Sequence, residues 1–308
     1  MTPENVVRVF SRNGKAVILD SKGREFLLSM KGGKLTLVPQ TESHREETLK
    51  PGMLPDGIIS KGRRNIAQAW LTGPTRRYGH GILGDAIEAS GVVAELSKGK
   101  RLQLTLDENA VFEDRLARLA DLDGDGMDEI IAVKTYLNEG SALAVIKPGA
   151  TGLKIVAETP PIGLTHRWLN PAGIADFTGD GRLEVAVVKT PHIGGTLEIY
   201  GFQNGAITLK GASQGYSNHT MGDRELGKAA VVDANADGTP DIALPDASQR
   251  RLRLVTFKGG EFRELAWIGH EGAAFSTAII AADINGDGRK EIVYGLRDRR
   301  LIAVFIGL

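Results

Sequence analysis

"DLDGDGMDEI", Asp121 to Ile130, places Asp121, Asp123 and Asp125 on alternate positions, follows them with Gly126, and adds Glu129 four residues after Asp125. Like charges this close repel, so the segment needs an offsetting cation or an internal donor. The pattern recurs. "LADLDGDGMDEIIAVK", "IADFTGDGRLEVAVVK", "VVDANADGTPDIALPD" and "AADINGDGRKEIVYGL" align, with first aspartates Asp121, Asp176, Asp233 and Asp283. A recurrence of about 50 residues suits a propeller blade of four short strands. Each acidic loop follows a short apolar segment and precedes "IIAV", "VAVV", "IAL" or "IVY". Such runs read as strands buried on both faces. Further apolar runs follow, separated by turns such as "NEGS", "KPGATG" and "QNG".

The rhythm extends backward in weaker form. "IAQAWLTGPTRRYGHGILGDAIEASGVVAEL" reads as a degenerate blade whose acidic loop is replaced by a longer one carrying Arg76, Arg77, Tyr78, His80 and Asp85. That loop is expected on the same side as the acidic loops, as a salt-bridged plug or a ligand-contacting lid. "AVILDSKGREFLLSMKGGKLTLV" reads as three hairpin-linked strands of a further blade. The last unit is one strand short, and "NVVRVF" at the other end is a spare strand; Val6 to Phe10 is expected to complete the last blade and close the ring. The fold class is therefore all-β, a β-propeller of four-stranded antiparallel blades. About six blades are expected, or seven if Gln40 to Arg64 contributes one. One domain spans 1–308: 1–10 as closing strand, 11–115 as degenerate blades and 116–308 as blades with the loop motif.

Composition narrows the function. The 308 residues carry a formal net charge of +0, which gives no global bias toward nucleic acid or anionic membrane. Hydrophobic content is 42%, sufficient for a core. No apolar run approaches the roughly 20 residues of a membrane span. The absence of cysteine excludes disulfides, thiol catalysis and cysteine-based zinc sites. "MTPENVVRVF" lacks a basic start followed by an apolar stretch, so no signal peptide is read there.

Numbered from its first aspartate, each loop offers oxygens at positions 1, 3 and 5, glycine at 6, a backbone carbonyl at 7 and a carboxylate at 9. The sets are Asp121, Asp123, Asp125, Met127 and Glu129; Asp176, Thr178, Asp180, Arg182 and Glu184; Asp233, Asn235, Asp237, Thr239 and Asp241; Asp283, Asn285, Asp287, Arg289 and Glu291. Hard oxygens in a glycine-permitted turn suit Ca2+, in up to four sites. The second, with Thr178 at position 3, is expected to be the weakest. A single loop of this kind could equally be a polar turn capping its own backbone; four periodic copies favour the cation. An EF-hand is excluded, because position 12 is Ala132, Val187, Leu244 and Tyr294 and the flanks are strands. The D-x-[DN]-x-D-G-x-x-[DE] loops between strands, over roughly Leu116 to Leu308, resemble FG-GAP (VCBS-type) repeats, also found in the propellers of integrin alpha subunits. The resemblance implies calcium held between strands 1 and 2 of each motif-bearing blade and implies no single activity.

The face opposite those loops is expected to carry the inter-blade links. These supply Arg115, His166, Arg167, Tyr216, His219, His270 and Glu271 as candidate ligand-binding residues, and "KGRRN" (Arg63, Arg64) is placed there too. Three successive links each carry a histidine. The first functional expectation is a calcium-binding, non-enzymatic module for a carbohydrate or protein ligand. The second is a lyase or hydrolase acting on an acidic sugar through the histidine links. Modest-affinity calcium sites favour a periplasmic or extracellular setting.

Overall fold

The run "EIIAV" shows how this chain builds its core. In a strand, successive side chains point to opposite faces. Ile130 and Ala132 enter one hydrophobic cluster, while Ile131 and Val133 enter the next. The same division recurs for Val185 and Val187 against Ala186 and Val188, for Ile242 and Leu244 against Ala243, and for Ile292 and Tyr294 against Val293. Each of these strands is therefore buried on both faces, which is why its sequence is continuously apolar rather than alternating.

A computed structural model describes residues 3–41 and 48–306. The first sheet runs β1 (Val6–Arg12), β2 (Lys15–Asp20), β3 (Glu25–Lys31), β4 (Lys34–Pro39). The second unit has β5 (Ser60–Lys61), β6 (Ile66–Thr75), β7 (Glu88–Leu96) and β8 (Arg101–Thr105). The third has β10 (Arg118–Ala120), β11 (Glu129–Tyr136), β12 (Gly140–Pro148) and β13 (Leu153–Glu158). A short strand, β9 (Ala110–Phe112), pairs with both β7 and β11 and fuses these two units into one nine-stranded sheet. The fourth sheet runs β14 (Leu169–Ala175), β15 (Glu184–Lys189), β16 (Thr196–Gln203), β17 (Ala206–Gln214), and the fifth runs β18 (Ala230–Val232), β19 (Asp241–Pro245), β20 (Arg251–Thr256), β21 (Arg263–Gly269). The sixth unit has three strands, β22 (Ile280–Ala282), β23 (Glu291–Gly295) and β24 (Leu301–Val304). All pairings within units are antiparallel.

Neighbouring units pack face to face through shared clusters: second on third, third on fourth, fourth on fifth, fifth on sixth. The sixth also packs on the first, where Ala282, Ile284 and Val293 meet Val9, Ile18 and Phe26. Met30 N–H donates to Ile284 O at 2.7 Å across that seam. The first residues of β1, the turn at 55–59, the segment 115–118, the middle of β14 and the link at 223–229 surround a cavity of about 930 Å³.

Two expectations need correction. The N-terminal strand does not complete the last sheet: β1 pairs with β2, and it meets the sixth unit by packing. The reason is local. Asn13 and Gly14, at φ 52 and 76, form a two-residue hairpin turn with both residues in the left-handed region. Asn-Gly is the strongest short hairpin signal, and it commits β1 to β2. Secondly, the long loop 76–87 joins β6 to β7, the second and third strands of its unit, because β5 precedes them. It therefore corresponds to the β11–β12 turn rather than to an acidic loop. The counterpart of the acidic loop is the short turn at 62–65.

Candidate metal centres and the histidine-bearing end

The four acidic loops share one hydrogen-bonded frame. The N–H of the position-6 glycine donates to Oδ2 of the first aspartate at 3.0, 2.8, 2.9 and 3.0 Å. The N–H at position 7 donates to Oδ1 of the position-5 aspartate at 2.8, 3.0, 2.9 and 2.8 Å. The N–H at position 2 donates to the position-9 carboxylate at 2.7, 2.9, 2.9 and 2.9 Å. The glycines at position 6 all sit at φ 81–86, a conformation that costs other residues energy. Position 4 is also left-handed; glycine fills it three times and Ala236, at φ 58, once.

These bonds leave oxygens facing into the loops. Among the described residues, Asp121 Oδ1, Glu129 Oε1 and Asp241 Oδ1 are buried without a hydrogen-bond partner. Oxygens of Asp121, Asp123 and Glu129, and of Asp176, Asp180 and Glu184, lie within 4.8 Å of one another. Such clusters can hold a metal ion, and the buried orphan oxygens fit a hard cation. Burial raises the pKa of all four position-9 carboxylates, Glu129, Glu184, Asp241 and Glu291. The N–H at position 7 lowers that of Asp125, Asp237 and Asp287.

Arg64 does not belong to the opposite end. It pairs with Asp121, and Asn65 Oδ1 accepts the Asp128 N–H at 2.6 Å, so the 62–65 turn straps the first acidic loop. Conversely, loop 76–87 lies with the histidine links, against the expectation. Tyr78 OH accepts the His166 N–H at 2.7 Å, the rings of His80 and His166 stack at 4.8 Å, and Asp85 pairs with Arg224 at 3.1 Å. The two-residue β5 carries no apolar signal, and without it the strand count of this unit shifts by one.

At this end the sequence-derived candidates do not converge on one ligand. His219 is fully buried; its Nε2 lies 2.8 Å from Asp223 O and its Nδ1 3.0 Å from His192 Nε2. The carbonyl fixes the proton on His219 Nε2, so Nδ1 accepts from His192. Burial lowers both pKa values to about 4. His270 is buried elsewhere, its Nε2 3.0 Å from Tyr294 OH. Tyr216 is buried under Arg253, whose guanidinium lies 4.4 Å from the ring centre. Arg115 pairs with Asp56 at 2.8 Å and donates to Arg224 O. Exposed His166 adopts φ 55; Arg167 donates to its carbonyl at 3.4 Å. Glu271 is exposed at φ 49.

The sequence reading missed the pairing of His80 with Glu113. Glu113 is 1% exposed; its Oε1 is 2.5 Å from His80 Nδ1 and its Oε2 accepts from Thr135 Oγ1 at 2.9 Å. Burial raises its pKa. The Trp168 indole N–H donates to Glu113 O at 2.9 Å, joining this group to the ring of His219, 4.8 Å from Trp168. Burial and the nearby Glu113 charge push the Tyr78 pKa up to about 12.

The third and fourth acidic loops lie in a segment that resembles a known repeat. Residues 233–294 match the FG-GAP-like repeat. The resemblance read from the loop motif is thus shown over that segment, which runs from the first aspartate of the third loop into β23. No curated protein matches the chain. Among solved structures it is similar, at 14% identity, to the exotype rhamnogalacturonan lyase YesX, with TM-score 0.47 and coverage of 98% of this chain and 73% of that one. It is also similar at 14% identity to rhamnogalacturonan lyase YesW (TM-score 0.44, 100% and 76%). A Bacillus licheniformis rhamnogalacturonan lyase gives 14% identity and TM-score 0.43 over 96% and 66%. Among the described residues no helix is long and apolar enough to cross a membrane.

Proposed function

We propose that the chain is a calcium-binding β-propeller that acts as a non-enzymatic binding module for a carbohydrate or protein ligand. The six units would be its blades and the cavity its axial channel. The observation that carries the calcium reading is the fourfold frame itself: in each loop the same three backbone N–H groups fix the first aspartate, the position-5 aspartate and the position-9 carboxylate, and in the first two loops carboxylate oxygens converge within 4.8 Å. A divalent ion there would convert its binding energy into folding energy. Sites of modest affinity would be filled in a calcium-rich periplasmic or extracellular space.

The ligand reading rests on the cavity. It combines apolar lining, such as Met53, Ile58 and Leu226, with Arg8, Arg118 and Glu225. That mixture, at about 930 Å³, suits a small polar ligand with an apolar face, as sugars have. A second reading, a lyase or hydrolase of acidic sugars, is favoured by one observation: a buried carboxylate orients a half-buried imidazole at His80.

The test is a thermal melt with calcium, repeated after chelation, alongside binding and turnover assays on acidic and neutral polysaccharides. A calcium-dependent rise with polysaccharide retention and no new chain ends supports the module. Chain cleavage that His80→Ala removes without lowering the melting temperature would replace it with the enzyme. No calcium response would reduce the loops to self-capped turns.

A further inference from the structure

The four loops share a frame but differ in what neutralises them. Position 3 supplies a proton donor in three: Thr178 Oγ1 donates to Glu184 Oε1 at 2.9 Å, Asn235 Nδ2 to Asp237 Oδ2 at 3.0 Å, and Asn285 Nδ2 to Asp287 Oδ2 at 2.9 Å and Glu291 Oε1 at 3.0 Å. In the first loop position 3 is Asp123, which at neutral pH has no proton to give. That loop holds a fourth carboxylate where the others hold a neutral donor. Its repulsion is the largest and its internal relief the smallest.

A lysine supplies what is missing. Lys147 Nζ lies 2.6 Å from Asp123 Oδ2, 3.1 Å from Asp125 Oδ2 and 3.1 Å from Glu129 Oε1. It is at the convergence point of the loop, and its side chain is 25% exposed. Arg64, from the preceding unit, neutralises Asp121. The strand register makes Lys147 a position and not an accident of a long side chain. In the fourth unit position 9, Glu184, pairs with Gly201; one step beyond the rungs Ile130–Ile146, Ile242–Val255 and Ile292–Val304, position 9 of the third, fifth and sixth units faces Lys147, Thr256 and Phe305. Of these residues only Lys147 is cationic. Lys258 does approach the third loop, but it reaches only Asp237, at 3.2 Å, and leaves Asp233 and Asp241 to other partners.

We infer that the Lys147 ammonium occupies the cation position of the first loop in place of a metal ion, and that the residue facing position 9 decides whether a repeat binds metal. An ammonium hydrogen-bonded to Asp123 and Asp125 and ion-paired with Glu129 cannot share that volume with a calcium ion needing the same oxygens at about 2.3–2.6 Å. The loop with the richest acidic motif is thus the one closed to calcium. This rests on the calcium reading of the other three loops. The site opened by removing the lysine retains a specific acceptor, since Asp121 Oδ1 is buried, in a side chain 8% exposed, and has no hydrogen-bond partner.

Isothermal titration of the full chain with calcium chloride, after chelator treatment, tests this by stoichiometry. The unsubstituted protein should bind three ions. Lys147→Thr, which installs the residue standing at Thr256, should bind four. The reciprocal Thr256→Lys should bind two, and it keeps the inference testable if Lys147→Thr does not fold. Four ions on the unsubstituted protein, or an unchanged count in both variants, would overturn the inference. If the unsubstituted protein bound none but Lys147→Thr gained one, the exclusion of metal by Lys147 would stand, while the calcium reading of the other loops, and with it the rule for the residue facing position 9, would fail. Three ions in every variant would do the opposite.

Discussion

The two ends of the sheets solve their polar problems in different ways. At the acidic-loop end, one arrangement of three backbone donors is repeated four times with distances that differ by no more than 0.3 Å. At the histidine-bearing end some backbone contacts recur, such as Ser217 N–H to Pro245 O and Ser276 N–H to Gly295 O, but the side-chain contacts differ from link to link. Tyr78 binds His166, Glu113 binds His80, His192 binds His219, and His270 binds Tyr294. A repeated frame answers a need common to every unit, which is to hold a tight turn between buried strands. Unrepeated contacts between different links fix each unit against its own neighbours. The first end is therefore the place for a shared ligand such as a cation.

Removing calcium should produce the largest effect and should fall entirely on the loop end. At calcium about 100-fold above Kd, each occupied loop adds about 2.7 kcal/mol. Three loops would add about 8 kcal/mol, or roughly 20 °C for a chain of this size. Scanning calorimetry with and without chelator measures it. Asp241→Ala should lose about a third of the shift, because it removes a carboxylate whose Oδ1 is buried and unpartnered. An undiminished shift in that variant would place the calcium somewhere other than the loops.

The next effect belongs to the other end. Gly195, at φ 27, is so close to the Tyr216 carbonyl that an added Cβ would overlap it, and its own carbonyl accepts the N–H groups of Gly215 and Tyr216. Gly195→Ala must displace the β17–β18 link, at a cost of about 3–5 kcal/mol. Chemical denaturation reads this directly. The loss should be the same with and without calcium. A calcium-dependent loss would couple the two ends and break the comparison.

The two ends should also titrate with opposite sign. His219 has a pKa of about 4 in the folded chain, against 6.5 when unfolded. Between these values the unfolded state binds more protons, so stability falls as pH drops from 6.5 to 4, by up to about 1.4 kcal/mol per pH unit. His192 acts in the same direction. The position-9 carboxylates have raised values, so in the metal-free protein their contribution is present at low pH and is lost as pH rises through the folded pKa. Melting temperatures from pH 4 to 8 should therefore show an acid loss that His219→Gln diminishes. A profile indifferent to His219→Gln would mean that the histidine pair is hydrated and not buried.

How much of this was legible in the sequence follows the same division. The doubly buried strands and the acidic frame could be read because each rests on residues within ten positions of one another, such as Asp121 to Glu129, and the repeat because that local pattern recurs. What escaped depends on pairing across longer separations. Lys147 reaches its loop only through the β11–β12 register. His80 meets Glu113 across 33 residues and two strand reversals. The placement of loop 76–87 turned on β5, a strand of two residues, Ser60 and Lys61, whose sequence resembles any exposed turn. Nothing local in the sequence separates buried Glu113 from exposed His166, because burial is a property of the assembled units.

The smallest predicted effect tests the one local signal that the repeat pattern overrode. Gly14 has φ 76, and a Cβ added there meets nothing within 4 Å. Gly14→Ala therefore carries no steric clash, only the cost of a left-handed alanine, about 1 kcal/mol. If β1 is held to β2 by this turn, the variant should lower stability by that amount. It should also speed amide exchange at Val9 and Ser11 in β1 while leaving β22 and β23 unchanged. If β1 were instead a strand of the sixth unit, the turn would be a free linker. The substitution would then leave exchange in β1 unaltered, and protection there would follow Ile292 to Tyr294 in β23. Hydrogen exchange by mass spectrometry separates the two, because in the first arrangement β1 touches the sixth unit through Val9 and its neighbours by side-chain packing, and its backbone bonds go to β2.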